Sequence, residues 1–121
     1  MLINLSNHPL AYWAEQQRAM AEGHWGQVVD LPFPVIPPTL TTQEVVALAE
    51  EYCARCVDML HQEDDPSSAV HLMGEMVFCF HLAAMLKHAG IEVVASTSER
   101  IVCYTDGTKN SEFNFVTFRA Y

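Results

Sequence analysis

Four short stretches of this 121-residue chain combine residue types able to hold or transform a small anionic ligand. In Ser96-Thr97-Ser98-Glu99-Arg100, a run of hydroxyls and one guanidinium follows an apolar segment, and such a set can cradle a phosphate through charge-assisted hydrogen bonds. A polar loop with Glu99 and Arg100 in an ion pair is its ordinary alternative. Ser6-Asn7-His8 offers two short polar side chains, suited to capping a helix or meeting a ligand, and an imidazole suited to proton transfer or to a plain surface role. Asp30, between Val29 and Leu31, can accept a hydrogen bond from a ribose hydroxyl. Gly74 allows close backbone approach or a tight turn, and Glu75 suits a helix cap as well as acid–base work.

Other chemistries lack their patterns. Gly-x-Gly-x-x-Gly is absent after the first apolar segment, so the common dinucleotide fingerprint is missing. No His-Glu-x-x-His spacing links His71, His81 or His88, and no Gly-x-Ser-x-Gly elbow exists for a hydrolase triad. Cys53-Ala-Arg-Cys56 sits inside a helical pattern with no second pair, which reads as structural thiols. The sequence therefore points to no metal and no organic cofactor.

The elements that must position these residues alternate. Apolar runs at residues 2–5, 27–31, 69–73 and 91–95 read as strands. Helices are expected over 11–22, stopped by Gly23, from the capping-box spacing Thr41–Glu44 to His61, and over 76–88 before Gly90. Four prolines, Pro32, Pro34, Pro37 and Pro38, force an extended loop across the end of the sheet, and Glu63-Asp64-Asp65-Pro66 forms a solvated connection. Residues 96–100 read as a polar loop. After it, Asp106-Gly107 turns a C-terminal hairpin whose last strand alternates Phe113, Phe115 and Thr117 against Asn114, Val116 and Phe118. The outcome is an α/β, Rossmann-like three-layer domain over residues 1–121, with a mostly parallel sheet and a terminal β-hairpin. In such sheets ligands bind outside the carboxyl ends of the strands, where all four polar stretches fall.

Composition narrows the partners. A net charge of −9 with only six Lys and Arg repels duplex DNA, while a small anionic ligand can still be held locally. The start Met-Leu-Ile-Asn has no basic n-region, and no stretch reaches the roughly 18–20 apolar residues of a membrane span, so a cytoplasmic protein is expected. Apolar residues make up 50% of the chain, enough for a sizeable core and for a dimer interface as well.

Leu5-Ser6-Asn7-His8-Pro9, Leu72-Met73-Gly74-Glu75, Ala95-Ser96-Thr97-Ser98-Glu99-Arg100 and the end from Phe113 to Tyr121 together resemble a group of small CRISPR-associated proteins with a Rossmann-like fold. Proteins of that group look like ring nucleases, which cleave cyclic oligoadenylate second messengers of type III CRISPR defence, or like relatives that only bind them. The resemblance implies metal-independent attack of a ribose 2′-hydroxyl on its own 3′-phosphate. It places Ser6, Asn7 and His8 against phosphate or ribose, Gly74 and Glu75 along the pocket, and Thr97, Ser98 and Arg100 at the scissile phosphate, with a homodimer enclosing a two-fold symmetric ring. A non-catalytic sensor of the same fold, or an enzyme acting on an unrelated metabolite through His8, Asp30 and Glu75, are the alternatives.

Overall fold

The computed structural model describes residues 1–63 and 65–121, which leaves Asp64 of the expected acidic connection outside the described residues. Its elements are β1 (Leu2–Ser6), a 3-10 turn (Leu10–Tyr12), α1 (Glu15–Trp25), β2 (Val28–Asp30), α2 (Thr42–His61), β3 (Ala69–Met73), α3 (Met76–His88), β4 (Glu92–Thr105) and β5 (Thr108–Ala120). They build one α/β sheet in the order β2-β1-β3-β4-β5. The first three neighbouring pairs are parallel and β4 with β5 is antiparallel, which is the expected mostly parallel sheet closed by a hairpin.

Period-2 alternation divides each central strand between two cores. Ile3, Leu5, Val70, Leu72 and Val93 pack with Val45, Ala49, Phe78 and Leu82 of α2 and α3. Leu2, Ala69 and Val94 face the other way, onto Trp13 and Ala21. Each fully buried Leu or Phe in these layers contributes about 1.5–3 kcal/mol, so the interior positions fix the register of all three strands.

Helix α2 begins as its sequence dictates. Thr41 Oγ1 accepts from the Glu44 amide at 3.2 Å, and Glu44 Oε1 accepts from the Thr41 amide at 3.1 Å. The boundaries expected for the third strand and third helix also hold.

Three expectations are corrected. The first helix starts later and passes through Gly23, because the left-handed conformation that ends it falls at Gly26 (φ 78°). Residues 96–100 are not a loop: they continue β4 without a break, each paired with β5. The alternation in the last strand is broken by a bulge, since Thr97 pairs with Thr117 but Ser98 pairs with Phe115, which leaves Val116 as the extra residue. The bulge brings Phe115 and Phe118 together, with ring centroids 4.9 Å apart.

Among the described residues, no helix is long and apolar enough to cross a membrane.

Candidate functional site

A cavity of about 420 Å³ opens at the carboxyl ends of β1 and β2, within the size range of small-ligand pockets. Asn4, Ser6, Asn7 and Asp30 supply its polar side, and the Leu31-Pro32-Phe33-Pro34 segment supplies an apolar wall. The wall stands where it does because successive prolines hold the chain extended as it leaves β2. Its Phe33 ring lies on Gly74, where a Cβ would overlap the ring carbons. Glycine at this position is thus a packing requirement of the wall.

The polar side is held by a buried relay. Among the described residues, four polar ones, Asn4, Ser6, Gln17 and His71, are buried. His71 Nδ1 lies 2.8 Å from Asn4 Oδ1, and its Nε2 lies 2.7 Å from Ser96 Oγ. Because a carbonyl oxygen only accepts, Nδ1 carries the proton and Nε2 accepts from the Ser96 hydroxyl. That hydroxyl oxygen in turn accepts from Gln17 Nε2 at 3.0 Å. On the other side, Asn4 Nδ2 donates to Asp30 Oδ1 at 2.8 Å and to the His8 carbonyl at 3.0 Å. The order of donors and acceptors thus runs in one direction from Gln17 to the Asp30 carboxylate. No buried side-chain polar atom among the described residues lacks a partner.

The imidazole is also boxed in by rings, with Trp13 at 5.1 Å and Phe118 at 5.7 Å between centroids, both edge-on. Burial, and then the neighbouring His8, lower the His71 pKa to about 4. His71 is consequently neutral near pH 7, which the single-direction relay requires.

The same network sets the turn after β1. Ser6 Oγ donates to Asn4 Oδ1 at 2.8 Å and accepts from the His8 amide at 3.2 Å. The Trp13 indole donates to the His8 carbonyl at 2.9 Å, and Asp30 accepts from the Leu10 amide at 3.1 Å. The backbone of His8 is locked while the residue remains exposed.

The expected site residues therefore separate. Ser6, Asn7 and Asp30 line one cavity and His8 adjoins it. Ser96 belongs to the buried relay behind that cavity. Gly74 supports the wall, and Glu75 caps α3, accepting from the amides of Val77 at 3.1 Å and Phe78 at 2.7 Å. Thr97 Oγ1 serves the bulge, where it bonds both the amide and the carbonyl of Thr117. Ser98 and Arg100 stand on exposed β4, with Arg100 donating to Ser111 Oγ at 3.2 Å. β3 lies between this strand and the cavity, so residues 97–100 do not join it.

Asn4, Gln17 and His71 are the relay residues that pattern reading overlooks. The signal was a polar residue at the centre of each of two apolar strands, Leu-Ile-Asn-Leu and Ala-Val-His-Leu. Parallel pairing sets these two side by side, Asn4 against His71.

Chemically, the cavity presents a fixed carboxylate beside an apolar wall, which suits a sugar hydroxyl and the face of a base. It is poor in free backbone donors, since the amides of Asn7, His8, Leu10, Val77 and Phe78 are already bonded. Among the described residues, no three His, Cys, Asp or Glu side chains converge as a metal-binding group. Burial pushes the Cys56 thiol up to about 12 and that of Cys53 upward, so neither is a thiolate near neutral pH.

No curated protein and no solved structure matches this chain. A family model covers residues 1–119, and the chain belongs to the uncharacterized protein MJ1673 family.

Proposed function

We propose that the cavity beside Asp30 binds a cyclic oligoadenylate, with a ribose hydroxyl donating to the Asp30 carboxylate and an adenine lying on the Pro32–Pro34 wall. The observation that carries this reading is the relay itself. A buried, fully satisfied chain of hydrogen bonds ends on an exposed carboxylate and holds it against an apolar surface. We read the α/β fold as Rossmann-like, and the cavity then lies near the point where the strand order reverses between β1 and β3, the usual ligand position in such sheets. The sequence resemblance to ring nucleases and to their non-cleaving relatives agrees with the ligand class, and the cytoplasm is the compartment where that messenger acts.

Binding without cleavage is the form the geometry favours. The backbone amides near the cavity are engaged, and Thr97, Ser98 and Arg100 lie across β3 from it. Cleavage is the second reading, favoured by exposed His8 between the lining residues Asn7 and Pro9. In that reaction the ribose 2′-oxygen bonds to phosphorus and gives its proton to a base at the rim. The bond to the 5′-oxygen breaks, that oxygen takes up a proton, and a 2′,3′-cyclic phosphate remains.

Incubation with cyclic tri-, tetra- and hexa-adenylate in EDTA, with chromatography and a parallel binding titration, separates the two. Retention of an intact ring with saturable binding is the expected result. Linear products would establish metal-independent cleavage, and neither binding nor products would overturn the assignment. Activity on another metabolite that appears only with added metal would favour the unrelated-enzyme alternative.

A further inference from the structure

The hairpin formed by residues 98–105 and 108–115 stands clear of the body. β4 runs parallel to β3, whose last residue is Met73, and Val94 pairs with His71, so β4 beyond Ser96 continues past the carboxyl end of the sheet. Nearly every residue of this ribbon is exposed, including Tyr104 at 73% and Phe113 at 69%. Isolated two-stranded ribbons are at best marginally stable in water, and exposed aromatic rings on one signal a missing cover.

The register sorts the ribbon into two unlike faces. Arg100, Val102 and Tyr104 stand opposite Phe113, Ser111 and Lys109, and alternation puts all six on one side. Glu99, Ile101 and Cys103 stand opposite Asn114, Glu112 and Asn110 on the other. One face is therefore apolar and cationic, and its reverse is acidic. Charge also divides between arm and body. Arg100 and Lys109 against Glu99, Asp106 and Glu112 leave residues 98–115 at −1, so the rest of the chain carries −8 of the total −9. Four exposed carboxylates, Glu15, Asp30, Glu44 and Glu75, stand where α1, β2, α2 and α3 meet the carboxyl end of the sheet. Arg18, on the same helix as Glu15, is paired with Glu22 at 3.6 Å.

We infer that the ribbon is an intersubunit arm, and that its cationic face docks on the acidic carboxyl edge of a second copy of this chain. Stacking arm on arm would bring four cations together, whereas arm on edge sets Arg100 and Lys109 against carboxylates and covers Tyr104 and Phe113. Two-fold symmetry makes the contact reciprocal. Each cavity then gains, from the partner, the cations its own subunit does not place there.

Sedimentation of the full chain without any ligand tests this apart from the nucleotide reading. A species of twice the 13.6 kDa chain mass is expected at micromolar concentration. Arg100→Glu/Lys109→Glu and, separately, Tyr104→Ser/Phe113→Ser should each raise the dissociation constant at least about tenfold. Glu99→Gln/Glu112→Gln on the reverse face should leave the dimer intact, and an unchanged circular dichroism spectrum shows that each variant is folded. A wild-type monomer overturns the inference, including one whose arm instead captures single-stranded oligoadenylate. A dimer indifferent to the charge reversal overturns it too.

Discussion

The carboxyl end of β1 and the far end of β4 are both rich in polar residues, yet they are organised in opposite ways. Around β1, Asn4, Ser6 and His71 are withdrawn from water and, with half-buried Ser96, satisfy one another in a fixed order that ends on Asp30. Along the outer part of β4, similar side chains project into solvent and bond only across their own hairpin. Polarity of sequence alone does not distinguish a preorganised site from a surface. What distinguishes them is whether neighbouring strands bury the polar residue, because only a buried group must have its partner in place.

The sharpest way to break this contrast is to remove the residue that joins the two halves of the relay. Asn4→Ala strips a partner from His71, Ser6 and Asp30 at once and leaves the imidazole buried with Nδ1 unsatisfied. Urea unfolding should show a loss of about 3 kcal/mol, at the upper end for a broken buried network. A loss under about 1 kcal/mol would mean that the relay is not built as described.

The second effect is on pH. The unfolded chain binds a proton at the ordinary histidine value of 6.5, while folded His71 resists it down to about 4. Between those values the unfolded state holds the extra proton, so stability falls as pH falls, by about 3 kcal/mol in total, and is unaffected above that window. Unfolding free energies at pH 7, 5.5 and 4 would show it, and His71→Asn should flatten the dependence. Asp65 acts in a separate and lower window. Bonds from the Ser67 side chain and amide, and then from the N-terminal amine, hold it down to about 2, so its contribution is lost only as pH falls from 3.8 through that value.

The smallest effect belongs to the arm. Ile101→Thr, on the acidic face of the ribbon, should change unfolding stability by less than about 0.5 kcal/mol, because the residue packs against no core. A loss as large as that of Asn4→Ala would show that the arm is part of the body's cooperative unit.

The same contrast explains what could be read from the chain. β3, α2 and α3 were legible because hydrophobic periodicity, a capping box and bounding glycines all agree there. The end of the first helix is not legible because Gly23 has the composition of a stop but no conformational need, whereas Gly26 adopts the left-handed turn. Residues 96–100 read as a loop because a strand that overhangs its sheet has no core against which to alternate. The rule that ligands gather at the carboxyl ends of strands points to Ser6, Asn7 and Asp30, which line one cavity. The Asn4–His71 contact depends on pairing across 67 positions, which no local pattern carries.

Calorimetric titration of cyclic tetra-adenylate into the protein and into its Asp30→Ala variant tests the central claim most directly. Saturable binding to the native chain, weakened by about 1.5–3 kcal/mol when the carboxylate is removed from a variant that still folds, is the predicted result. Equal affinity of the two proteins would contradict the assignment of this cavity.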